Sequence, residues 1–242
     1  MRSTGEVVIL KLVDQEEFAI HSFLSSLKAT QNHAIPILDV ISLDLEKLIV
    51  LRKEQVLHDV PDSVLKTMGH SLALQFLEGV WFLHEHKVAH LDLKPPNIVI
   101  TGTKQLQIID FSVSVMVSEL GSWMVGYRGT EGWTAPELEN DPDGEFQPIR
   151  ADLWSSGRVL EYFSQRAGGT IGFEVIMRQL LRHNPQERPY LSEVFQDAAL
   201  VTPKRKRSVD VVKEADKRRC VQLDGSDCDT ATSWCSPSVT LL

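Results

Sequence analysis

The sequence predicts an α+β fold of two lobes, a small strand-rich lobe over about residues 1–52 and a mainly helical lobe over about 53–200. Short apolar runs dominate the first lobe, whereas apolar residues at helical spacing dominate the second. A change of composition near residue 200 sets apart a segment at 201–242 that shows neither period, and we expect this segment to be a disordered tail.

Three strands and one helix account for the small lobe. Apolar runs rich in valine, isoleucine and leucine indicate strands at Val7–Val13, Ile35–Val40 and Leu48–Leu51. Apolar residues from Ile20 to Leu27 recur at helical spacing, which predicts a helix over roughly 15–28, between the first two strands.

A long amphipathic helix opens the larger lobe. Pro61 is well placed to begin it, and apolar residues from Leu65 to Leu83 form one stripe along residues 62–87. Two short strands, Asn97–Ile100 and Leu106–Ile109, follow with a polar turn between them. Further helices are predicted near residues 151–164, 172–183 and 191–199.

The composition excludes several classes of protein. A hydrophobic content of 43% and a charged content of 24% are those of an ordinary globular chain. The net charge of −8 argues against direct nucleic-acid binding, and no apolar run approaches the roughly 20 residues of a membrane span. The N-terminus shows no signal-peptide pattern, and the three cysteines all lie near the C-terminal end. We therefore expect an intracellular protein, nuclear or cytoplasmic, that does not associate with membranes.

The most informative stretch is His90-Leu91-Asp92-Leu93-Lys94-Pro95-Pro96-Asn97. It matches the pattern H-R-D-L-x-x-x-N of protein kinase catalytic loops at every defined position except Leu91, which replaces the arginine. Phosphoryl transfer needs a carboxylate that orients the attacking hydroxyl and accepts its proton, and Asp92 occupies that place in the motif.

Four further motifs follow in order. They resemble the kinase segments D-F-G, G-T-x-x-Y-x-A-P-E and D-x-W-S-x-G, and the segment whose arginine pairs with the A-P-E glutamate. In this chain they are Asp110-Phe111-Ser112, Gly129–Glu137, Asp152–Gly157 and Asn184–Pro189. With all five motifs in the family's order, the chain resembles eukaryotic-type protein kinases of the Ser/Thr branch over about residues 7–199, with a truncated N-terminal lobe.

The resemblance implies a protein-kinase-like two-lobe domain at 1–200. Its implied activity is transfer of the γ-phosphate of ATP to Ser/Thr hydroxyls of protein substrates, with Mg²⁺ as cofactor. By position in the motifs, Asp92 is the implied catalytic base and Lys94 stabilises charge at the γ-phosphate. Asn97 and Asp110 are the implied magnesium ligands.

Lys11 is the candidate contact to the α- and β-phosphates, because Val8–Lys11 resembles the strand motif V-A-I-K. A solvent-facing strand lysine is the alternative interpretation. The usual partner of this lysine in the family is a glutamate of the following helix. Counting back from the apolar end of that helix places Ile20 at the glutamate's position and Glu16 and Glu17 too early, so no partner is identified.

Other motif residues are expected to support the loops. The resemblance implies an ion pair between Glu137 and Arg188, and it implies that Asp152 braces the backbone of the catalytic loop. His90 is expected to be a hydrogen-bonded structural histidine and not a proton carrier.

Departures from the family's pattern keep two alternatives open. The sequence has no Gly-rich loop of the form G-x-G-x-x-G-x-V, Ser112 replaces the glycine of D-F-G, and the helix glutamate that would pair with Lys11 is not identified. These departures suit a pseudokinase that binds nucleotide or protein without catalysis. The third interpretation is a piece of a longer protein whose missing strands are encoded upstream.

Two basic clusters mark the expected tail, Lys204–Arg207 and Lys217–Arg219. Their spacing resembles a bipartite nuclear import signal, which would add a nuclear import receptor to the partners. A solvated, charge-rich tail without a receptor is the alternative.

Overall fold

The computed structural model describes residues 7–43, 46–169 and 171–196. These residues have the predicted α+β architecture, a small antiparallel sheet with one helix followed by a mainly helical part. The expected tail at 201–242 and its basic clusters lie outside the described residues and stay predictions. Within the described ranges, no helix combines the length and apolar character needed to cross a bilayer.

The small sheet has three antiparallel strands in the order β1-β3-β2. They are β1 (Val8–Val13), β2 (Asp39–Ser42) and β3 (Lys47–Arg52), and Lys11 of β1 lies opposite Ile49 of β3. Helix α1 (Gln15–Ser26) begins directly after β1, because the side chain of Asp14 caps it by accepting a hydrogen bond from the backbone N–H of Glu17 at 2.8 Å.

The strand predicted at Ile35–Val40 was wrong over its first four residues. Ile35 donates its backbone N–H to the carbonyl of Ile108 at 3.0 Å, so this part of the chain is bonded to the larger lobe and not to the small sheet. Pro36 follows and has no N–H for a ladder. Regular pairing with β3 begins only at Asp39.

The larger lobe is built on two long helices that pack against each other, α2 (Asp62–Glu85) and α4 (Pro148–Ala167). Their contact buries large side chains such as Phe76 and Phe163 completely. Gly168 ends α4 with φ of 76°, a left-handed conformation that glycine adopts without strain.

Short elements complete this lobe. The remaining strands are β4 (Gln55–Val56), β5 (Val88–Ala89), β6 (Ile98–Ile100), β7 (Leu106–Ile108), β8 (Val115–Met116), β9 (Met124–Val125) and β10 (Glu145–Phe146). The remaining helices are α3 (Pro136–Asn140), α5 (Glu174–Leu180) and α6 (Leu191–Gln196). Strand β6 pairs with β4 and β7, β5 with β8, and β9 with β10, all antiparallel. Ile98 at the start of β6 lies opposite Ile108 at the end of β7. The loop between β5 and β6 therefore lies next to the loop that follows β7.

Candidate active site

The side chain of Asp152 in α4 supports the backbone of the loop between β5 and β6. This carboxylate is fully buried and accepts hydrogen bonds from the backbone N–H groups of His90 at 2.6 Å and Leu91 at 2.7 Å. Leu91 has φ of 62°, a conformation that is costly for a branched side chain. The two charge-assisted bonds hold the loop in this shape, as the resemblance implied for Asp152.

His90 is a structural part of the same loop. Its Nε2 donates to the carbonyl of Ile109 at 3.0 Å, and its Nδ1 accepts from the backbone N–H of Asp92 at 3.2 Å. Both ring nitrogens are thus committed to the backbone. Complete burial lowers the pKa of His90 against the opposing effect of Asp152, so the ring is neutral at pH 7.

Three side chains of the loop and one of a distant segment form a tight polar cluster. Asp92 accepts from Thr130 Oγ1 at 2.7 Å through Oδ1 and from Asn97 Nδ2 at 2.8 Å through Oδ2. Lys94 Nζ lies 2.8 Å from Asp92 Oδ2 and donates to Thr130 Oγ1 at 2.6 Å. The structure therefore brings together three predicted site residues, Asp92, Lys94 and Asn97, with Thr130 as the bridge between the first two.

Thr130 is the residue of this cluster to which sequence reasoning gave no role in the site. In the sequence it stands out only as a member of the motif Gly129–Glu137. Thr130 lies 38 residues from Asp92 along the chain, so only the fold shows that its hydroxyl meets the carboxylate. Its place in the G-T-x-x motif was the signal that could have found it.

A second cluster joins the small sheet to the end of β7. Lys11 Nζ on β1 donates to Asp110 Oδ1 at 2.6 Å, so Lys11 is not a free strand lysine. Burial opposes the charge on Lys11, but its hydrogen bonds to Asp110 and Glu17 outweigh burial and raise its pKa. Burial likewise opposes the charge on Asp110, yet the hydrogen bond from Lys11 prevails and lowers the pKa of Asp110. Asp110 is therefore an anion at neutral pH.

The partner of Lys11 on α1 is Glu17, which the count along the helix had placed too early. The Nζ of Lys11 also donates to Glu17 Oε1, whereas Ile20, which the count placed at this position, packs in the apolar core. The error is one helical turn, because residues three apart on a helix share a face and apolar spacing alone cannot distinguish them. Burial of the Glu17 carboxyl outweighs its bond from Lys11 and raises the pKa of Glu17.

The two clusters are adjacent along the backbone. Ile109 donates its N–H to the carbonyl of Asn97 at 3.0 Å, which fixes Asp110 next to the residue at the end of the loop between β5 and β6. The Nδ2 group of Asn97 also donates to the backbone carbonyl of Asp92 at 2.9 Å, so its two hydrogens both point toward Asp92 and its amide oxygen points elsewhere.

The donor set fits a nucleotide with a hard cation. A carboxylate on Asp110 and an amide oxygen on Asn97 are the ligand types that Mg²⁺ prefers, and Lys11 and Lys94 are cations suited to phosphates. Among the described residues, His, Cys, Asp and Glu side chains do not gather in groups of three or more that could hold a metal alone.

Glu137 and Arg188 form the ion pair that the resemblance implied. Arg188 is fully buried and donates from Nη1 to Glu137 Oε1 at 2.6 Å and from Nη2 to Oε2 at 2.7 Å. The pair fastens the start of α3 to the segment before α6, and thereby anchors the end of the segment that carries Thr130.

Comparison with known proteins finds one matching family and several relatives. Residues 3–167 match the family described as the protein kinase domain. The chain is 32% identical over 130 residues to the calcium/calmodulin-dependent protein kinase kinase of Caenorhabditis elegans, covering 50% of this chain and 24% of that protein. It is 36% identical over 124 residues to a probable serine/threonine-protein kinase of Candida glabrata (48% of this chain, 15% of that protein). It is 31% identical over 138 residues to mitogen-activated protein kinase kinase kinase 13 of Mus musculus (46% and 14%). The matches thus span about a quarter or less of each relative's length.

Proposed function

Because the chain belongs to the protein kinase family, we propose that it transfers the γ-phosphate of ATP to serine or threonine hydroxyls of protein substrates. The observation that carries the proposal is the position of Lys11, whose Nζ contacts Asp110 Oδ1 at 2.6 Å across the two lobes. A strand lysine and the candidate metal ligand meet there, at the place where a phosphate chain and its cation would bind.

In the proposed reaction, Asp92 orients the substrate hydroxyl and accepts its proton while the hydroxyl oxygen bonds to the γ-phosphorus. The bond from that phosphorus to the bridging oxygen breaks, and ADP leaves with the electron pair. Lys94 lies beside Asp92 and offsets charge on the transferred group. Thr130 holds both side chains in a fixed relation, which reduces the cost of reaching the reactive geometry.

Asn97 and Asp110 would hold Mg²⁺, which when bound neutralises charge on the phosphates. Lys11 would contact the α- and β-phosphates and is itself positioned by Glu17. The low pKa of Asp110 keeps this carboxylate available to a cation at neutral pH. The shared backbone bond between Ile109 and Asn97 keeps the two candidate ligands on neighbouring loops.

Phosphate incorporation by the purified chain tests the proposal. We expect wild type to phosphorylate itself or a generic serine- and threonine-containing substrate with ATP and Mg²⁺, and Asp92→Asn to lower the rate by at least about 100-fold. Asp143→Asn is the matched control, since Asp143 is exposed, and it should keep the wild-type rate. If neither wild type nor Asp92→Asn incorporates phosphate, the proposal that the chain is a kinase is refuted.

A pseudokinase regulator is the second candidate, and Ser112 favours it, because it replaces the flexible glycine of D-F-G beside the candidate metal ligand Asp110. Thermal unfolding with ATP, with and without Mg²⁺, separates the candidates. A nucleotide binder at 100 times its dissociation constant gains about 2.7 kcal/mol of stability. No shift at millimolar nucleotide favours a protein-binding module.

Nuclear import through the basic clusters at 204–207 and 217–219 is a separate proposal. A fluorescent fusion of the full chain should concentrate in the nucleus, and replacing the lysines and arginines of both clusters with glutamine should abolish this. Unchanged distribution of the variant would count against an import receptor as partner.

A further inference from the structure

Residues 121–137, here called the bridge segment, are fastened at both ends to one short stretch of the larger lobe. The C-terminal end is fastened by the ion pair between Glu137 and Arg188. The N-terminal end is fastened through Gln186, two residues before Arg188, which reaches the segment by way of Gln147, the residue before α4. One stretch of the chain thus sets the position of both ends of the segment.

The hydrogen bonds of Gln147 fix the direction of its side-chain amide. A backbone carbonyl can only accept, so the atom that lies 3.0 Å from the carbonyl oxygen of Gly121 is Nε2, the donor. Oε1 therefore faces Gln186 and accepts from its Nε2 at 2.7 Å. Gln147 is only 8% exposed, whereas Gly121 and Gln186 are both exposed. A buried amide therefore links two groups at the surface.

A short ladder lies beside this link. Strand β9 of the bridge segment pairs with β10, and Gln147 directly follows β10. In this ladder Met124 lies opposite Phe146, which is buried, and Met124 packs against the apolar cluster that contains Phe146. The N-terminal half of the bridge segment is thus held by two residue pairs, an apolar contact and the amide of Gln147.

Between the ladder and Thr130 the chain has little stiffness of its own. Gly126 and Gly129 take φ of 91° and 107°, and glycine has more backbone freedom than any other residue. Gly129 also allows the segment to approach the catalytic loop, because a Cβ there would lie 2.6 Å from the carbonyl oxygen of Leu91. The position of Thr130 relative to Asp92 therefore depends on how the residues before the two glycines are held.

We propose that Gln147 is a positioning residue of the phosphoryl-transfer site, which holds the bridge segment so that Thr130 meets Asp92. Water can replace the Gln147 amide at Gly121 and Gln186, because both are exposed, so its loss should change overall stability little. What is lost is the fixed position of the segment. The effect on catalysis rests on the proposed function, whereas the effect on the position of Thr130 does not.

The first experiment follows the methyl group of Thr130 by NMR, without nucleotide. In full-length protein labelled at threonine methyl groups, the Thr130 signal is identified by its loss in Thr130→Ser. We expect this signal to shift or broaden in Gln147→Leu. Gln75→Leu is the matched control, because Gln75 Oε1 accepts from the backbone N–H of Leu106 at 2.9 Å, outside the bridge segment. It should leave the Thr130 signal unchanged. An unchanged Thr130 signal in Gln147→Leu would overturn the proposal.

The second experiment tests whether Gln147 acts through Thr130. In the wild-type background, Gln147→Leu should lower kcat by about tenfold or more. The KM for ATP should not change, because the candidate nucleotide contacts Lys11 and Asp110 lie outside the bridge segment. In the Thr130→Val background the same change should lower kcat by less than about twofold, since the bridge is already lost. Equal losses in the two backgrounds would mean that Gln147 does not act through Thr130, and would refute the proposal.

The control variant separates positioning from a purely structural role. Leu106 is fully buried, so Gln75→Leu leaves a buried N–H without its partner and should lower the midpoint of urea unfolding more than Gln147→Leu does. It should nevertheless keep the wild-type kcat. If kcat instead follows stability in both variants, Gln147 has no positioning role.

The two experiments also separate failure of this proposal from failure of the proposed function. If the chain transfers no phosphate but the Thr130 signal moves in Gln147→Leu, the kinase proposal fails and the hold of Gln147 on Thr130 stands. If Gln147→Leu does not fold, Gln147→Glu serves instead, since it keeps an acceptor toward Gln186 but cannot donate to Gly121. It should move the Thr130 signal and lower kcat in the same way.

Discussion

Arg188 donates every N–H of its buried guanidinium to an acceptor, and two of these bonds go to Glu137 at 2.6 and 2.7 Å. The other acceptors are the backbone carbonyls of Arg182, Arg150 and His183. Lysine has no planar fork and could not reproduce this set. Arg188 is therefore both the partner of Glu137 and the group that satisfies three carbonyl oxygens of the larger lobe.

Arg188→Lys should destabilise the fold strongly. Lysine keeps the charge but not the fork, so several buried acceptors lose their donor, and each unsatisfied buried acceptor costs about 1–3 kcal/mol. The free energy of unfolding in urea measures it. Arg158→Lys is the control, because Arg158 pairs with Glu161 at the partly exposed surface of α4, where the loss should be below about 1 kcal/mol. Equal losses for the two variants would contradict this account.

Motif spacing predicted the parts of the site that lie within one loop. Asp92, Lys94 and Asn97 share eight residues between two short strands, so their proximity follows from the sequence. Asp152 under the loop and the Glu137–Arg188 pair came from the family resemblance, and the structure contains both. The long helix α2 was predicted nearly to its ends, because its apolar stripe is long and regular.

Contacts between segments that are distant along the chain could not be predicted from motif spacing. Helical periodicity identifies a face but not a turn, which is why Ile20 was assigned the place of Glu17. An apolar run does not reveal its hydrogen-bond partner, so Ile35 was assigned to the small sheet although it bonds to Ile108. The ladder between β9 and β10 has only two residue pairs, too few to produce a visible alternation of apolar and polar residues.

Thr130→Val should slow phosphoryl transfer while Thr130→Ser should not. The hydroxyl bridges Asp92 and Lys94, and a hydrogen bond to a charged group contributes about 1.5–3 kcal/mol. That loss corresponds to a roughly 10- to 150-fold lower kcat. Steady-state kinetics with ATP and Mg²⁺ measures it. A valine variant as active as the serine variant would show that the bridge has no catalytic role.

Lys11→Met should raise the pKa of Asp110 and weaken nucleotide binding. Without the cation, burial of this carboxyl loses its main opposition, and the hydrogen bonds from Ser112 that remain are weaker, so the balance moves toward the neutral form. Carboxyl NMR measures the pKa, with Asp110→Asn for assignment, and titration with Mg²⁺–ATP measures affinity, which we expect to fall by about tenfold or more. Lys53→Met removes an exposed lysine as control. An unchanged pKa of Asp110 would mean that Lys11 does not hold it ionised.

Wild type should lose stability relative to His21→Leu as the pH falls below about 6.5. The pKa of His21 is lower in the folded than in the unfolded chain, so the unfolded chain binds more protons in this range. Stability then rises with pH by up to about 1.4 kcal/mol per pH unit for this group. Urea unfolding of both proteins at a series of pH values measures the difference between their free energies of unfolding. Glu17 contributes with the opposite sign, but both proteins carry it, so its contribution cancels in the difference. A difference independent of pH would contradict the sign.

Two glycines of α2 should respond to alanine with opposite signs. An added Cβ at Gly79 would lie 2.8 Å from His33 Cβ and 3.1 Å from Ile108 Cδ1. A Cβ at Gly69 would meet Ala167 Cβ and Ile171 Cγ2 at 3.4 Å, close to ordinary contact. Alanine gains up to about 1 kcal/mol in a helix interior, so Gly69→Ala should stabilise the protein.

At position 79 the clash outweighs this gain. The Cβ of His33 is fixed to its backbone, and His33 Nδ1 is tied to the carbonyl of Leu106 at 3.0 Å, so the neighbour cannot move aside without breaking that bond. Overpacking typically costs about 1–3 kcal/mol, and Gly79→Ala should therefore lower the free energy of unfolding. Urea unfolding of both variants measures the two signs, and a stabilised Gly79→Ala would show that the segment carrying His33 can shift away from α2.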